Sequence, residues 1–98
     1  MSLPVSFRAP AQAEYDTAVA WYDQARPGLG RDFEAEVEAV LVAAAAAPDR
    51  YPVADGDVRE APVSGFPYCV YYRVRSNKLI VVAVYHQSRD PSGWRGRA

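Results

Sequence analysis

"YCVYYRVRSNKLIVVAVYH", from Tyr68 to His86, is the segment whose pattern most strongly indicates the fold of this chain. Two runs rich in β-branched and aromatic residues flank the dipeptide Ser76-Asn77, and this pattern predicts a β-hairpin. If the loop is two residues long, Arg75 pairs with Lys78. Because side chains alternate along a strand, this register assigns every residue of the hairpin to one of two faces.

The predicted register puts alternate residues of both strands on the face that packs into the core. They are Tyr68, Val70, Tyr72, Val74, Leu79, Val81, Ala83 and Tyr85. The opposite face is predicted to carry Cys69, Tyr71, Arg73, Ile80, Val82, Val84 and, at its rim, His86. A slip of one residue between the strands would exchange the faces of one strand relative to the other.

Two helical patterns precede the hairpin. Apolar residues recur at spacings of three and four from Pro10 to the break at "RPGLG", and again from Leu29 until Pro48 ends the pattern. The first stripe comprises Ala11, Tyr15, Ala18, Val19, Tyr22 and Ala25, and the second Leu29, Phe33, Val37, Val40, Leu41 and Ala44. Such a short break predicts an antiparallel helical hairpin.

Two shorter strands complete the predicted set. "PVSFR" (Pro4 to Arg8) precedes the helices, and "DVREAPV" (Asp57 to Val63) follows them after a loop rich in Pro, Asp and Gly. The order β-α-α-β-β-β predicts the α+β class, with a small antiparallel sheet packed against the helical hairpin. We expect residues 1–98 to form one domain.

Charge is divided unevenly along the 98 residues. Residues 1–57 carry four arginines against ten carboxylates, whereas residues 58–98 carry seven cations against two carboxylates. The division indicates a polyanionic partner for the C-terminal half, or an acidic partner for that half and a basic one for the other, or attraction between the halves across the fold. The single cysteine and the lack of a basic and apolar leader lead us to expect a cytoplasmic protein without a membrane segment.

Seven pieces, in order, carry a resemblance to a known family: "AEYDTAVAWY", "PGLGRDFEAEV", the "YP" at Tyr51, Arg59, "FPYCVYYRV", "IVVAVYHQSRDP", and Trp94 followed by Arg97. Together they resemble the toxins of the RelE/ParE superfamily of type II toxin–antitoxin systems, often labelled plasmid stabilisation proteins. The resemblance covers nearly the whole chain.

The resemblance implies a growth-inhibiting toxin that a cognate antitoxin protein holds inactive. Members of one group in this superfamily cleave messenger RNA on the ribosome, and members of another poison DNA gyrase without being enzymes. A third alternative is an inactive relative that only binds its antitoxin. We favour the gyrase group, because the chain is slightly acidic with one lysine and because Cys69 stands where such nucleases often carry arginine.

An endoribonuclease without metal requires acid and base groups and cations that hold the phosphate. His86 is the side chain whose ordinary pKa suits this work, and Arg89, Arg73 and Arg59 are the predicted phosphate ligands. The alternative is a structural, hydrogen-bonded histidine at the end of a strand.

Binding of a partner is predicted for Trp94, Arg95 and Arg97 in the tail and for Tyr71, because tryptophan, tyrosine and arginine often anchor interfaces. The alternative is that Trp94 packs back on the sheet after a turn at "DPSG". The sequence has no GxGxxG, P-loop, CxxC or HExxH motif, so we expect no cofactor and no metal.

Overall fold

A computed structural model of the chain describes residues 2–97. Two helices and five strands follow one another as β1 (Val5–Phe7), α1 (Ala9–Ala25), α2 (Leu29–Ala46), β2 (Val53–Asp55), β3 (Val58–Pro62), β4 (Tyr68–Arg75) and β5 (Lys78–His86). Single 3₁₀ turns lie at Pro48–Arg50 and Pro91–Gly93. The α+β class predicted from the sequence is confirmed.

The two helices form the predicted hairpin and bury the predicted stripes against one face of the sheet. Their buried members are Ala11, Ala18, Tyr22, Phe33, Val37, Val40 and Ala44, whereas Ala25 is exposed. The break between the helices is tight, because the carboxylate of Asp23 accepts hydrogen bonds from the backbone N–H groups of Gly28 and Gly30 at 3.0 and 3.3 Å. A side chain of α1 thus caps the start of α2.

The sheet is mixed, with strand order β1-β5-β4-β3-β2. The last four strands meander antiparallel as predicted, but β1 lies parallel to β5, so the sheet is not antiparallel throughout. The short strand β2, which the sequence left in a loop, pairs with β3. The β4–β5 loop is two residues long, with Ser76 and Asn77 both at positive φ, as a type I′ turn requires.

A β-bulge in β5 changes the predicted faces of the hairpin. The register runs as predicted from Arg75 and Lys78 to the pair Tyr72–Val81, but Tyr71 then pairs with Ala83, so that Val82 is an extra residue. Beyond the bulge, side chains of β5 exchange faces. Val84 packs in the core beneath the helices, whereas Ala83 and Tyr85 lie on the opposite side. The predicted faces of Ala83, Val84, Tyr85 and His86 were therefore wrong.

The opposite face of the sheet carries a second, smaller core. It consists of Val58, Cys69, Tyr71, Val82, Ala83, Tyr85 and Trp94, with Ala54 and Ile80 at its margin. Because the sheet is buried on both faces, β5 is a nearly continuous run of apolar residues rather than an alternating one.

Gly30 sets the distance between the two helices. A Cβ at this position would lie 2.6 Å from the carbonyl oxygen of Val19 and 3.0 Å from the Cβ of Asp23. Since the carbonyl belongs to the backbone of α1, a larger residue must push the helices apart.

We predict that Gly30→Ala destabilises the protein by about 1–3 kcal/mol, as overpacking does, although helix propensity alone would favour alanine by about 1 kcal/mol. Urea denaturation followed by circular dichroism measures the change. Ala39→Gly, at an exposed position of α2, is the control for propensity. An increase in stability for Gly30→Ala would show that the helices are not in close contact.

Candidate functional site

Ion pairs join the two oppositely charged halves of the chain. Within residues 2–97 there are four of them, and each links a cation of the C-terminal half to a carboxylate of the N-terminal half: Arg59–Asp49, Arg73–Asp57, Arg75–Asp57 and Arg97–Glu14. The structure thus supports attraction between the halves, one of the three alternatives for the uneven charge. Lys78, Arg89 and Arg95 form no ion pair within the described range.

The C-terminal tail is part of the second core. Trp94 is 2% exposed, and its ring stacks on Tyr71 with centroids 4.0 Å apart. The turn at Pro91–Gly93 returns the chain to the sheet, and the Tyr85 hydroxyl fastens it by donating to the carbonyl of Asp90 at 2.8 Å. The alternative in which Trp94 packs back on the sheet is confirmed.

This packing shows how accessible each predicted partner-binding residue is, whereas partner binding itself stays a prediction. Trp94 and Tyr71 are both buried and face each other, so neither ring is available to a partner in this conformation. Arg97 is held by Glu14. Only Arg95 of the predicted set is exposed, with its guanidinium 5.8 Å from the Trp94 ring centroid.

Glu14 and Arg97 together occupy the edge of β5 beyond the end of β1. A Glu14 carboxylate oxygen accepts from the backbone N–H of Val84 at 3.1 Å, and Arg97 donates to the carbonyl of Val82 at 3.0 Å. Arg97 also donates to both oxygens of Glu14, at 3.1 and 2.9 Å. Backbone groups next to the bulge, which β1 does not reach, are thereby paired.

His86 lies on the helix-facing side of the sheet, at the end where β5 stops. Its ring meets Tyr68 edge-on at a centroid distance of 5.1 Å. Its Nδ1 accepts from the backbone N–H of Ser88 at 3.0 Å and lies 2.7 Å from the hydroxyl oxygen of Ser88. These contacts fit the alternative of a hydrogen-bonded histidine at a strand end.

The four predicted catalytic residues do not gather at one place. Arg89 lies near His86. It lines a surface depression together with Tyr68, and its guanidinium carbon lies 4.3 Å from the centroid of the Tyr85 ring. Arg73 pairs with Ile80, so it lies five residues along β4 from the Tyr68–His86 pair, a separation of about 17 Å along a strand. The predicted sharing of one sheet face by Arg73 and His86 is wrong, because the bulge turns His86 to the other face.

Arg59 and Arg73 are already engaged with neighbouring groups. Arg59 donates to the carbonyl of Tyr51 at 2.7 Å and pairs with Asp49. Arg73 makes two hydrogen bonds to Asp57, at 2.7 and 3.1 Å, and the hydrogen bond from Arg73 lowers the pKa of that carboxyl. Neither guanidinium is hydrogen-bonded to His86, and Arg73 lies on the opposite face of the sheet from it.

Two polar groups of the second core, the Tyr71 hydroxyl and the Cys69 thiol, have raised pKa values. Burial, followed by the 2.7 Å hydrogen bond to Glu60, raises the pKa of the Tyr71 hydroxyl well above its usual range. Burial likewise raises the pKa of the Cys69 thiol. A protonated, buried thiol is a poor nucleophile, so Cys69 is a structural residue of this core.

A trough between α1 and the end of β5 adjoins His86. One part has a volume of about 460 Å³ and is lined by Thr17, Ala18, Trp21, Tyr22, Pro67, Tyr68 and His86. The adjoining part, of about 280 Å³, shares Thr17, Ala18 and Tyr68 and adds Ala13, Glu14, Val84 and Arg89. Trp21 is 63% exposed.

Trp21 is the feature that the sequence analysis missed. It lies outside the apolar stripe of α1, so it is a large aromatic side chain on the solvent side of an amphipathic helix. That departure from the helical pattern is visible in the sequence and marks a candidate contact residue.

No helix in residues 2–97 is long and apolar enough to cross a membrane. Over the same part of the chain, no three His, Cys, Asp or Glu side chains are grouped in a way that would hold a metal ion.

Comparison with known proteins places the chain among toxins. A family model described as "ParE toxin of type II toxin-antitoxin system, parDE" matches residues 5–91. The fold is similar to that of a solved structure titled "Chromosomal ParDE TA system from P. aeruginosa", with a TM-score of 0.74 and 12% sequence identity over 87% of this chain and 96% of that one. No curated protein matches the sequence.

We predict that Trp94→Ala destabilises the protein by about 3–5 kcal/mol, the usual loss for a buried tryptophan. Arg95→Ala, the exposed neighbour, should change stability by less than about 0.5 kcal/mol. Urea denaturation of both variants measures the difference. Equal effects of the two substitutions would mean that the tail is not part of the core.

Proposed function

Because the chain belongs to the ParE toxin family of type II toxin–antitoxin systems, we propose that it inhibits growth by binding a host protein such as DNA gyrase, without catalysis. A cognate antitoxin protein neutralises it, and it acts in the cytoplasm, where gyrase works. The toxin role follows from the family. The target and the neutralisation are our proposal.

We favour a protein target over RNA cleavage because His86 is separated from Arg73 and Arg59. Cleavage of RNA needs the acid or base within hydrogen-bonding reach of the reacting groups, with cations placed at the same phosphate. His86 and Arg73 lie on opposite faces of the sheet and near opposite ends of β4 and β5. Inhibition by binding needs no such assembly, so the observed placement does not count against it.

The distribution of charge supports the same choice. A protein that docks among ribosomal phosphates gains affinity from each cation that it presents. Here four of the seven cations of the C-terminal half are paired with carboxylates of the same chain. Few cations of the C-terminal half are therefore left to bind a polyanion.

Cleavage of messenger RNA is the second candidate, and one observation favours it. His86 and Arg89 both lie close to Tyr68, at the edge of one trough. An acid or base, a phosphate ligand and a stacking aromatic ring are thus present in one region. The experiment below separates the two targets.

We predict that the purified chain inhibits supercoiling by gyrase in a stoichiometric manner and leaves messenger RNA intact in a translation reaction. Titration of the chain against a fixed amount of gyrase, with primer extension on the translated message, measures both. A binding inhibitor reaches half of its effect near equimolar amounts, whereas an enzyme acts far below that ratio. RNA cleavage with unaffected gyrase would overturn the proposal, and the absence of both effects would identify an inactive relative.

Replacement of Arg73 by glutamine tests whether this arginine is needed for growth arrest. The Arg73 guanidinium is held by Asp57, and Arg73 lies on the opposite face of the sheet from His86. We expect cells that express the variant to stop growing as they do with the unchanged chain, at equal protein level. Loss of arrest with a folded variant would favour a phosphate-binding role for Arg73 and hence the nuclease.

A further inference from the structure

We propose that β1 pairs with β1 of a second copy of the chain, so that two copies form a dimer with one continuous sheet about a two-fold axis. The two strands run antiparallel, with Ser6 of one copy opposite Ser6 of the other. The inference goes beyond the proposed function, because it concerns how the chain associates with itself and not which target it inhibits.

β1 is an edge strand whose inner side is paired. Its one neighbour in the sheet is β5. The carbonyl of Pro4 accepts from the N–H of Leu79 at 2.9 Å, and the N–H of Arg8 donates to the carbonyl of Val81 at 2.9 Å. Because the backbone groups of successive residues in a strand point to opposite edges, the even-numbered residues of β1 face β5.

The outer side of β1 carries backbone groups without a partner. By the same alternation, Val5 and Phe7 turn their N–H and C=O groups away from β5. No backbone group within residues 2–97 is hydrogen-bonded to these outward groups. The strand therefore offers donors and acceptors to a strand from another chain.

The other edge of the sheet is built differently. β2 follows Pro52, contains the charged Asp55 and has an irregular register with β3. These are features with which proteins discourage pairing between chains. On β1, both outward residues are apolar and the register with β5 is regular. The sheet is thus protected at the β2 edge and open to pairing at the β1 edge.

An apolar surface, which we call the edge patch, lies beside the outward side of β1. Its apolar lining consists of Leu3, Val5, Leu41, Val42 and Ala45, around a depression of about 320 Å³. Val42 is 63% exposed and Val5 is 41% exposed. Glu38 is the one ionisable side chain of the lining, so the edge patch suits an apolar partner surface better than a charged one.

A two-fold axis at Ser6 gives a register in which the outward groups match. Val5 of each copy then lies opposite Phe7 of the other, and directly opposed residues of this kind exchange two N–H···O bonds. A valine–phenylalanine pair across two strands is favourable. A shift that paired Leu3 with Phe7 would fail, because the N–H of Leu3 already donates to the carbonyl of Ala45 at 3.0 Å.

The same register covers the edge patch and favours a second copy over an unrelated strand. It places Leu3 of one copy opposite Ala9 of the other, where α1 begins. The exposed residues Ala9, Pro10 and Ala13 at this end of α1 carry no charge. A pair of short strands alone is marginally stable. A second copy adds the start of α1 as a cover for the patch, and the two-fold axis makes each contact occur twice.

Sedimentation equilibrium of the purified chain measures the association. We expect a monomer–dimer equilibrium with a Kd on the order of 10–100 µM, as for a small interface. Val42→Asp places a charge in the edge patch and should weaken the dimer on the order of tenfold or more. Val53→Asp is the matched control, because this valine is 52% exposed on the opposite edge of the sheet, and it should leave the association unchanged.

A cysteine at the axis tests the register. Ser6→Cys puts two thiols opposite each other with a Cβ separation of about 4.5–5.5 Å, close to the distance that a disulfide spans. Mild oxidation should link two copies at least roughly tenfold faster than it links Ser64→Cys, because pairing raises the local thiol concentration. Ser64 is an exposed residue between β3 and β4, and the native Cys69 is buried.

Three results would each contradict the inference. They are a single species of monomer mass at every concentration through the expected range, equal effects of Val42→Asp and Val53→Asp, and equal oxidation rates of the two cysteine variants. All four substituted residues are exposed, and circular dichroism checks that each variant is folded. Because these measurements involve neither gyrase nor growth arrest, they are independent of whether gyrase is the target.

Discussion

The bulge at Val82 determines which side chains of β5 face the helices and which face the second core. It lies where β1 stops pairing with β5, one residue beyond the contact between Phe7 and Val81. Up to that point, β5 has a strand on either side. Beyond it, β5 keeps only β4 as a neighbouring strand, and its side chains exchange faces.

Both layers of the protein adapt to that exchange. Val84 packs in the core under the helices. Ala83 and Tyr85 lie on the opposite face, where another part of the chain must shield them from water. The C-terminal tail does this through Trp94, which stacks on Tyr71. The same exchange carries His86 to the trough side and away from Arg73, so the position of one extra residue determines which functional groups are neighbours.

Periodic features of the fold were predictable from the sequence, and features of backbone pairing were not. The helices and the two-residue loop follow from apolar spacing and from the Ser76-Asn77 dipeptide. The bulge gives no such signal. Every residue from Leu79 to Tyr85 is apolar, so there is no alternation of polar and apolar residues for an extra residue to interrupt. The pairing of β1 with β5 depends on distant segments, so local pattern could not show its direction. The candidate site was predicted in part: the cations of the C-terminal half were identified, but only the structure shows which of them have carboxylate partners.

The edge of β5 beyond the end of β1 has no neighbouring strand, and this bears on self-association. The unpaired backbone N–H and C=O groups of an edge strand can pair with a strand from another copy of the chain. Such pairing between chains leads to aggregation. Glu14 and Arg97 present one acceptor and one donor to that edge, as a neighbouring strand would. Two side chains from nearly opposite ends of the sequence thus occupy backbone groups of an apolar strand that another copy of the chain could otherwise pair with.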